Sequence, residues 1–498
     1  MSHLRYFLAS NEAHIRRTLM LCALYAIPVH QAMHRAVVAD ADVWWHLRTG
    51  KWIVEHGAVP TIDSFSAYGM GKPWVAYSWL FEALIYSLYK LFGLVGLSIY
   101  TVGLWLAIAF ALHTLIRKLE PNFVIAVVLT ACGLSALAPF TTPRPWLFTI
   151  LFFILEINIL WTARQSGDVR RLFLLPPLFV LWANIHIQFV YGLFVLGLVV
   201  LEPALDRLLR RFSFPGEWRT IPARPSWLVL AACVIATFIN PYHLKIYQVV
   251  FETISQTGMF RYISELQALG FRQFADWLVL LLTLGATFAL AWRREIRPLP
   301  ILLLLSGTFL SFRASRDAWF VVVVALTIIA ASLSAVATNE SSRYVLSRLQ
   351  VLAVALVVGG LLLVVGRIQN ISDAGLRSAV TEVFPEAAVR VVEERSYTGP
   401  IYNHFDWGGY LIWRLPSLPV AMDGRSNIHG DERTERSIAT WNGKPEWESD
   451  PELTSANLVI ADVNLPLASL LRLDLRFELV YEDKVAVVFV SRLQPPGQ

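Results

Sequence analysis

Long apolar runs alternate with short polar breaks over most of this chain. The runs start near Thr18, Leu94, Phe123, Trp146, Leu172, Phe189, Ser226, Trp277, Pro300, Ala318 and Leu349. A bilayer core takes roughly 20 apolar residues to cross, and a helix satisfies its own backbone there. The pattern predicts a polytopic α-helical membrane protein of about eleven spans. The runs at 172–186 and 300–312 are the shortest.

Two stretches break this pattern. Residues 79–90 carry apolar and aromatic side chains at helical spacing, with Glu82 and Lys90 at the ends and Gly93 after them. This predicts an amphipathic helix lying at the membrane interface rather than a further span. After Gly366 the composition turns mixed, with β-branched runs at 458–462 and 485–490 and helical spacing at 378–393. The expected organisation is a transmembrane domain over 1–370, with a long first outer loop at 36–78, and an extracytoplasmic α/β domain over 371–498.

Charge orients the spans. With the N-terminus inside, the inner loops hold Arg117 and Lys118; Arg164, Arg170 and Arg171; Arg207, Arg210, Arg211, Arg219 and Arg224; Arg293, Arg294 and Arg297; and Arg343 and Arg348. The outer loops are poor in Lys and Arg, as the positive-inside rule requires, so the C-terminus is expected outside. The first run follows Arg16-Arg17 without a small-residue cleavage site and reads as a retained signal anchor.

Composition agrees. The chain of 498 residues is 56% hydrophobic and 16% charged, with net charge +5. The cations sit in loops and set topology, so they do not point to nucleic acid. Cys22, Cys132 and Cys233 lie inside apolar runs, without disulfide or zinc spacing, and read as core residues.

Candidate chemistry gathers on the predicted outer face. Asp40 and Asp42 precede Trp44-Trp45-His46-Leu47-Arg48. Two carboxylates at this spacing could serve as a base or bind a hard cation, or simply end a helix. The tryptophans suit an anchor at headgroup level or a platform for a sugar or prenyl chain. Asp63 reads as a turn cap. Arg144, Asn184, His186, Asn240, His243, Arg313, Arg316 and Asp317 fall at outer span ends. Arg313 and Arg316 could hold a phosphate or pair locally with Asp317. In the C-terminal domain, His404-Phe405-Asp406-Trp407-Gly408-Gly409-Tyr410 allows close backbone approach, and Asp423-Gly424-Arg425 reads as a turn.

These elements resemble the GT-C class of membrane glycosyltransferases, and within it oligosaccharyltransferase catalytic subunits and uncharacterised bacterial multi-span proteins. Those subunits carry an acid, two aromatics, a polar residue and an Arg in the first outer loop, an order that Asp42 to Arg48 follows. Their Trp-Trp-Asp-Tyr-Gly element is similar to 404–410, and the strand and Asp that follow are similar to 420–425.

The resemblance implies inverting transfer from a polyprenyl-phosphate-linked sugar to a periplasmic glycan, lipid or protein, in a bacterial inner membrane. It makes Asp42, Asp40 and His46 the candidate catalytic residues. Arg48, Arg144, Asn184, His186, Arg313, Arg316, Asp406, Trp407, Asp423 and Arg425 become candidate substrate contacts. Oligosaccharyltransferases add acids from the second outer loop, where this chain has Arg144 in Thr141-Thr142-Pro143-Arg144-Pro145. That leaves two versions open: a divalent cation, magnesium or manganese, on Asp42, or Arg144 in place of the metal's charge. A non-catalytic protein of the same fold, acting in transport or assembly of envelope polysaccharide, is the alternative. A secondary transporter would usually show inverted repeats, and none is visible.

Overall fold

A computed structural model of the chain describes residues 2–211, 220–256, 258–292, 297–334 and 346–492. The loop cations Arg219, Arg293, Arg294 and Arg343 lie outside the described residues. The chain divides into two compact units. The first comprises Met1–His34, Tyr100–Asn240 and Ile263–Gln369; the second comprises Arg35–Ile99, Pro241–Tyr262 and Asn370–Gln498.

The first unit is helical. Among the described residues six helices are long and apolar enough to cross a membrane, including Trp146–Ser166, Phe274–Trp292 and Arg348–Ile368. Phe123–Ala136, Ala223–Thr237 and Pro298–Arg313 are shorter apolar helices. This is a multi-pass membrane protein. The 172–186 run differs from its prediction as one span. A 3₁₀ segment, Val169–Leu174, leads into a helix of only 11 residues, Leu175–Ile185, whose Pro176 and Pro177 fall in its first turn, where missing N–H groups cost nothing. At 1.5 Å per residue that helix covers only about 16 Å.

Burial separates the helices of this unit. Ala318–Ser334 is enclosed almost all round, with Trp319 and Phe320 inaccessible. Arg348–Ile368 buries only Gln350, which donates to the His14 carbonyl and to Thr18 Oγ1. Its outer face of Leu349, Leu352, Leu356 and Leu363 is exposed, which suits lipid and not water. Arg164, expected in an inner loop, is buried in an ion pair with Glu202.

The second unit joins the first loop to the C-terminal α/β region. Its four-stranded sheet has the order β1-β2-β4-β3, with β1 Ile401–Asn403, β2 Leu458–Asp462, β3 Phe477–Glu482 and β4 Ala486–Ser491. β1 runs parallel to β2, and the other pairs are antiparallel. The predicted helix over 378–393 is two helices, Asp373–Val383 and Glu386–Glu394. Pro385 between them cannot donate to the ladder and biases Phe384 to an extended conformation. Val420 stitches the loop to the region around the sheet: its carbonyl accepts from Ala67 N at 2.9 Å and its amide donates to Phe65 O at 3.3 Å. The Trp79–Phe92 helix ends at Gly93, φ 61°, as its sequence predicts.

Candidate functional site

Asp42 is the N-cap residue of the Val43–His56 helix, and its side chain makes no capping bond. The preceding turn is closed by Asp40, whose Oδ1 accepts from the Asp42 amide at 3.0 Å. The Asp42 carboxylate is thus not spent on holding the helix end, the common use of an Asp here. It lies against Gly424, where any Cβ would collide with its Oδ1. The indole Nε1 of Trp45 is beside the same spot, buried and without a hydrogen-bond partner.

The glycine pair of the Phe405–Arg414 helix explains how the two motifs meet. A Cβ on Gly408 would strike the Met422 carbonyl, and one on Gly409 would lie 2.6 Å from the Ala41 carbonyl and 3.2 Å from Trp45 Cδ1. Only glycine lets this helix touch both the 41–45 backbone and the 422–424 segment. Asn403 reinforces the arrangement, donating to the Met422 carbonyl at 2.8 Å and accepting from Ala421 N at 3.0 Å.

The tryptophans are neither headgroup anchors nor an open platform. Trp44 is buried edge-on to Tyr410 and Phe384, at 5.0 and 5.6 Å between centroids. Trp45 is buried over His46. His46 itself is inaccessible, with Nδ1 3.1 Å from Glu82 Oε1. Burial pushes the Glu82 carboxyl well above its ordinary range, against the opposing pull of Arg425. Sequence reading placed Glu82 only at the end of its apolar stretch. The signal it passed over is spacing: Glu82 follows Phe81 and precedes Ile85 by three residues, which is the buried stripe of its helix.

Asp423 and Arg425, expected as substrate contacts, are turned inward and bond each other. Arg425 Nε and Nη2 donate to the two Asp423 oxygens at 2.8 Å each, and Nη1 donates to Asp63 Oδ1 at 2.6 Å. The guanidinium also lies over Phe65 and Trp74, at 5.1 and 4.7 Å. His429 Nε2 is 3.2 Å from Asp423 Oδ2. Burial alone would raise the Asp423 carboxyl, but Arg425 and His429 overcome it and hold it far below the carboxylate range. Asp63 does cap its turn, accepting from Phe65 N and Ser66 N. It also ties residue 425 to a loop 362 positions earlier. This cluster is a pin that holds the first loop to the 423–429 segment.

Of the remaining candidates in this unit, Arg48 is half-buried, with its guanidinium 5.6 Å from the Phe65 ring centre. Asp406 is exposed in the first turn of its helix, beside the capping His404. Trp407 is buried in the core and supports that turn rather than facing out.

The membrane unit holds the other candidates. His186 Nδ1 is 2.8 Å from Thr149 Oγ1, which also accepts from Trp182 Nε1. Arg144 and Arg316 are both within electrostatic reach of His186. Asn184 donates to the Val180 and Ile239 carbonyls at 2.7 Å each, tying the end of its helix to the segment after Ala223–Thr237. Arg316 pairs with Glu265 at 3.5 Å, and both Arg316 and Arg313 are within electrostatic reach of Asp317. Asp317 accepts from Gln188 at 3.1 Å and Tyr191 at 2.7 Å. Arg313 is exposed. The result is a set of guanidinium groups, Arg144 and Arg316 around His186 and Arg313 with Arg316 around Asp317, that could accept a phosphate.

Among the described residues no three His, Cys, Asp or Glu side chains come together to hold a metal ion. The described residues therefore supply no full protein ligand set around Asp42, and a cation there would rest on one or two carboxylates and on substrate oxygens.

No known protein family matches the sequence, and no curated protein does either. Solved structures do match. Oligosaccharyltransferase from Archaeoglobus fulgidus, tethered by a disulfide bond to an acceptor peptide containing the NVT sequon, aligns over 91% of this chain and 70% of its own at TM-score 0.53 and 12% identity. The chain is thus structurally similar to a GT-C glycosyltransferase in fold. The apo form of the same enzyme aligns over 89% of this chain and 69% of its own, at TM-score 0.50 and 12% identity. ArnT from Cupriavidus metallidurans in its apo state covers 98% of this chain and 100% of its own at 14% identity. Its TM-score of 0.46 is too low to bear on the fold.

Proposed function

We propose that this protein is a membrane glycosyltransferase that moves a sugar from a polyprenyl-phosphate-linked donor to a glycan, lipid or protein acceptor. The helices would cross a bacterial inner membrane about eleven times from an inside N-terminus. The first loop and the C-terminal region would then share the extracytoplasmic side. The observation that carries the reading is the setting of Asp42. It is a carboxylate at a helix N-terminus that does not cap its helix, held against Gly424 by a glycine pair that lets two distant motifs touch.

In the transfer, Asp42 would take the proton of the acceptor's nucleophilic O–H or N–H as that atom bonds to the anomeric carbon. The carbon–oxygen bond to the lipid phosphate would break, and the electron pair would leave with the phosphate. The charge that builds on that phosphate needs fixed cations. Asp40 keeps Asp42 in place through the amide bond, and exposed Asp406 would meet the acceptor. No step is routed through a metal.

The test is the lipid-linked glycan profile of cells with wild-type protein, no protein, and Asp42→Asn. Accumulation of the same polyprenyl-linked sugar in the last two supports the transferase. A profile changed only in the null assigns the chain to a non-catalytic role in transport or assembly of envelope polysaccharide.

A further inference from the structure

His46, a candidate catalytic residue by resemblance, is buried in a pair with Glu82, which has no assigned role. His46 Nδ1 and Glu82 Oε1 are 3.1 Å apart, with side chains 3% and 1% exposed. Glu82 Oε2 is also buried and has no hydrogen-bond partner. A carboxyl left half-satisfied away from water is costly, so a purely structural account would favour an apolar residue on this stripe.

The neighbours show what the pair can do. The His46 ring is boxed, with the Trp45 indole 3.6 Å away on one side and Phe81 edge-on at 4.9 Å on another. Its helix is fixed to that of Glu82 by Gly50, where a Cβ would strike the Glu82 carbonyl and lie 2.7 Å from Tyr86 Cβ. Trp45 in turn carries its unpartnered Nε1 to the spot where Asp42 meets Gly424. The imidazole is therefore the surface that sets the plane of Trp45, and Glu82 sets the orientation of the imidazole.

We propose that Glu82 is a positioning residue: its bond to His46 holds the Trp45 indole against Asp42, and so fixes the acid in place. Its bearing on turnover rests on the transferase reading; its bearing on Trp45 does not. An uncharged Gln at 82 can still bond Nδ1, whereas Leu fills the space and cannot.

The experiment uses the full chain in lipid nanodiscs, labelled with 5-fluorotryptophan, with the Trp45 ¹⁹F line assigned by its loss in Trp45→Phe. Glu82→Gln is expected to leave that line in place. Glu82→Leu is expected to move or broaden it while the lines of Trp105, Trp182 and Trp319, in the membrane unit, stay put. Glu82→Ala gives the same comparison where Leu prevents folding. In cells, Glu82→Leu is expected to accumulate the lipid-linked sugar that Asp42→Asn accumulates, and Glu82→Gln is expected not to. An unmoved Trp45 line in both truncations, or a Gln variant that behaves as Leu does, overturns the proposal. If Asp42→Asn itself leaves the glycan profile unchanged, the transferase reading fails, and the ¹⁹F lines still decide the role of Glu82.

Discussion

Asp42 and Gly424 stand so close that no side chain at 424 can share the space with the Asp42 carboxylate. Gly424 has no left-handed backbone angle, so alanine is conformationally permitted and the conflict is steric alone. Gly424→Ala should displace Asp42 at a cost of about 1–3 kcal/mol, the usual range for overpacking a tight contact. The chain should still fold. The expected outcome is a glycan profile matching Asp42→Asn, with the protein present in the membrane at near wild-type level. A wild-type profile would mean that Asp42 can move without consequence.

Arg425 supports that contact from one residue away. Removing it leaves Asp63 buried without its cation and Asp423 with His429 alone, and breaking a buried pair in this way costs about 3–5 kcal/mol. Arg425→Ala should therefore release the 63–74 loop from the C-terminal region. Limited proteolysis, with cleavage expected in that loop, checks it. The pH dependence follows in sign. Asp423 is held far below its unfolded value. Its stabilisation is present above the ordinary carboxylate range and is lost as pH falls through the depressed value. Thermal unfolding of wild type should thus weaken in acid, and Asp423→Asn should remove part of that slope.

The legible part of this molecule is the part written in local pattern. Apolar runs gave helices, and the β-branched runs at 458–462 and 485–490 gave β2 and β4. β1 is three residues long, and β3 carries Glu478 and Glu482, so neither shows a periodicity to read. Site residues were recognisable by type, but their partners were not. Asp423 and Arg425 look like an exposed turn until Asp63 is brought to them from the first loop. Asp317 beside Arg316 looks like a local ion pair, and its bonds to Gln188 and Tyr191 are nowhere in that window. Contacts between distant segments are set by packing, and no window of sequence contains them.

The cation cluster of the membrane unit makes a graded prediction. Arg316 is half-buried and close to His186, whereas Arg313 is exposed. A phosphate held in such a cluster should depend more on the less solvated guanidinium, since screening weakens the exposed one. Arg316→Ala should weaken lipid-donor binding about tenfold, equivalent to about 1.4 kcal/mol, and Arg313→Ala should weaken it less. Binding of the lipid phosphate to purified protein, measured by native mass spectrometry, orders the two. Equal effects would show that burial does not set the contribution.

Asp406 offers the sharpest separation of function from stability. Its side chain is exposed and its one close partner is His404, 3.7 Å away; a surface pair of this kind contributes about 0–1 kcal/mol. His404 caps the helix with its own ring nitrogen, so Asp406→Ala should leave the unfolding temperature nearly unchanged. An acceptor that reaches this helix end would still feel the lost carboxylate. The expected outcome is normal donor binding with reduced transfer, seen as lipid-linked sugar accumulating to an intermediate level. Wild-type transfer by Asp406→Ala would move acceptor contact away from the 404–410 turn. A large loss of stability would instead give Asp406 a structural load that its exposed position does not predict.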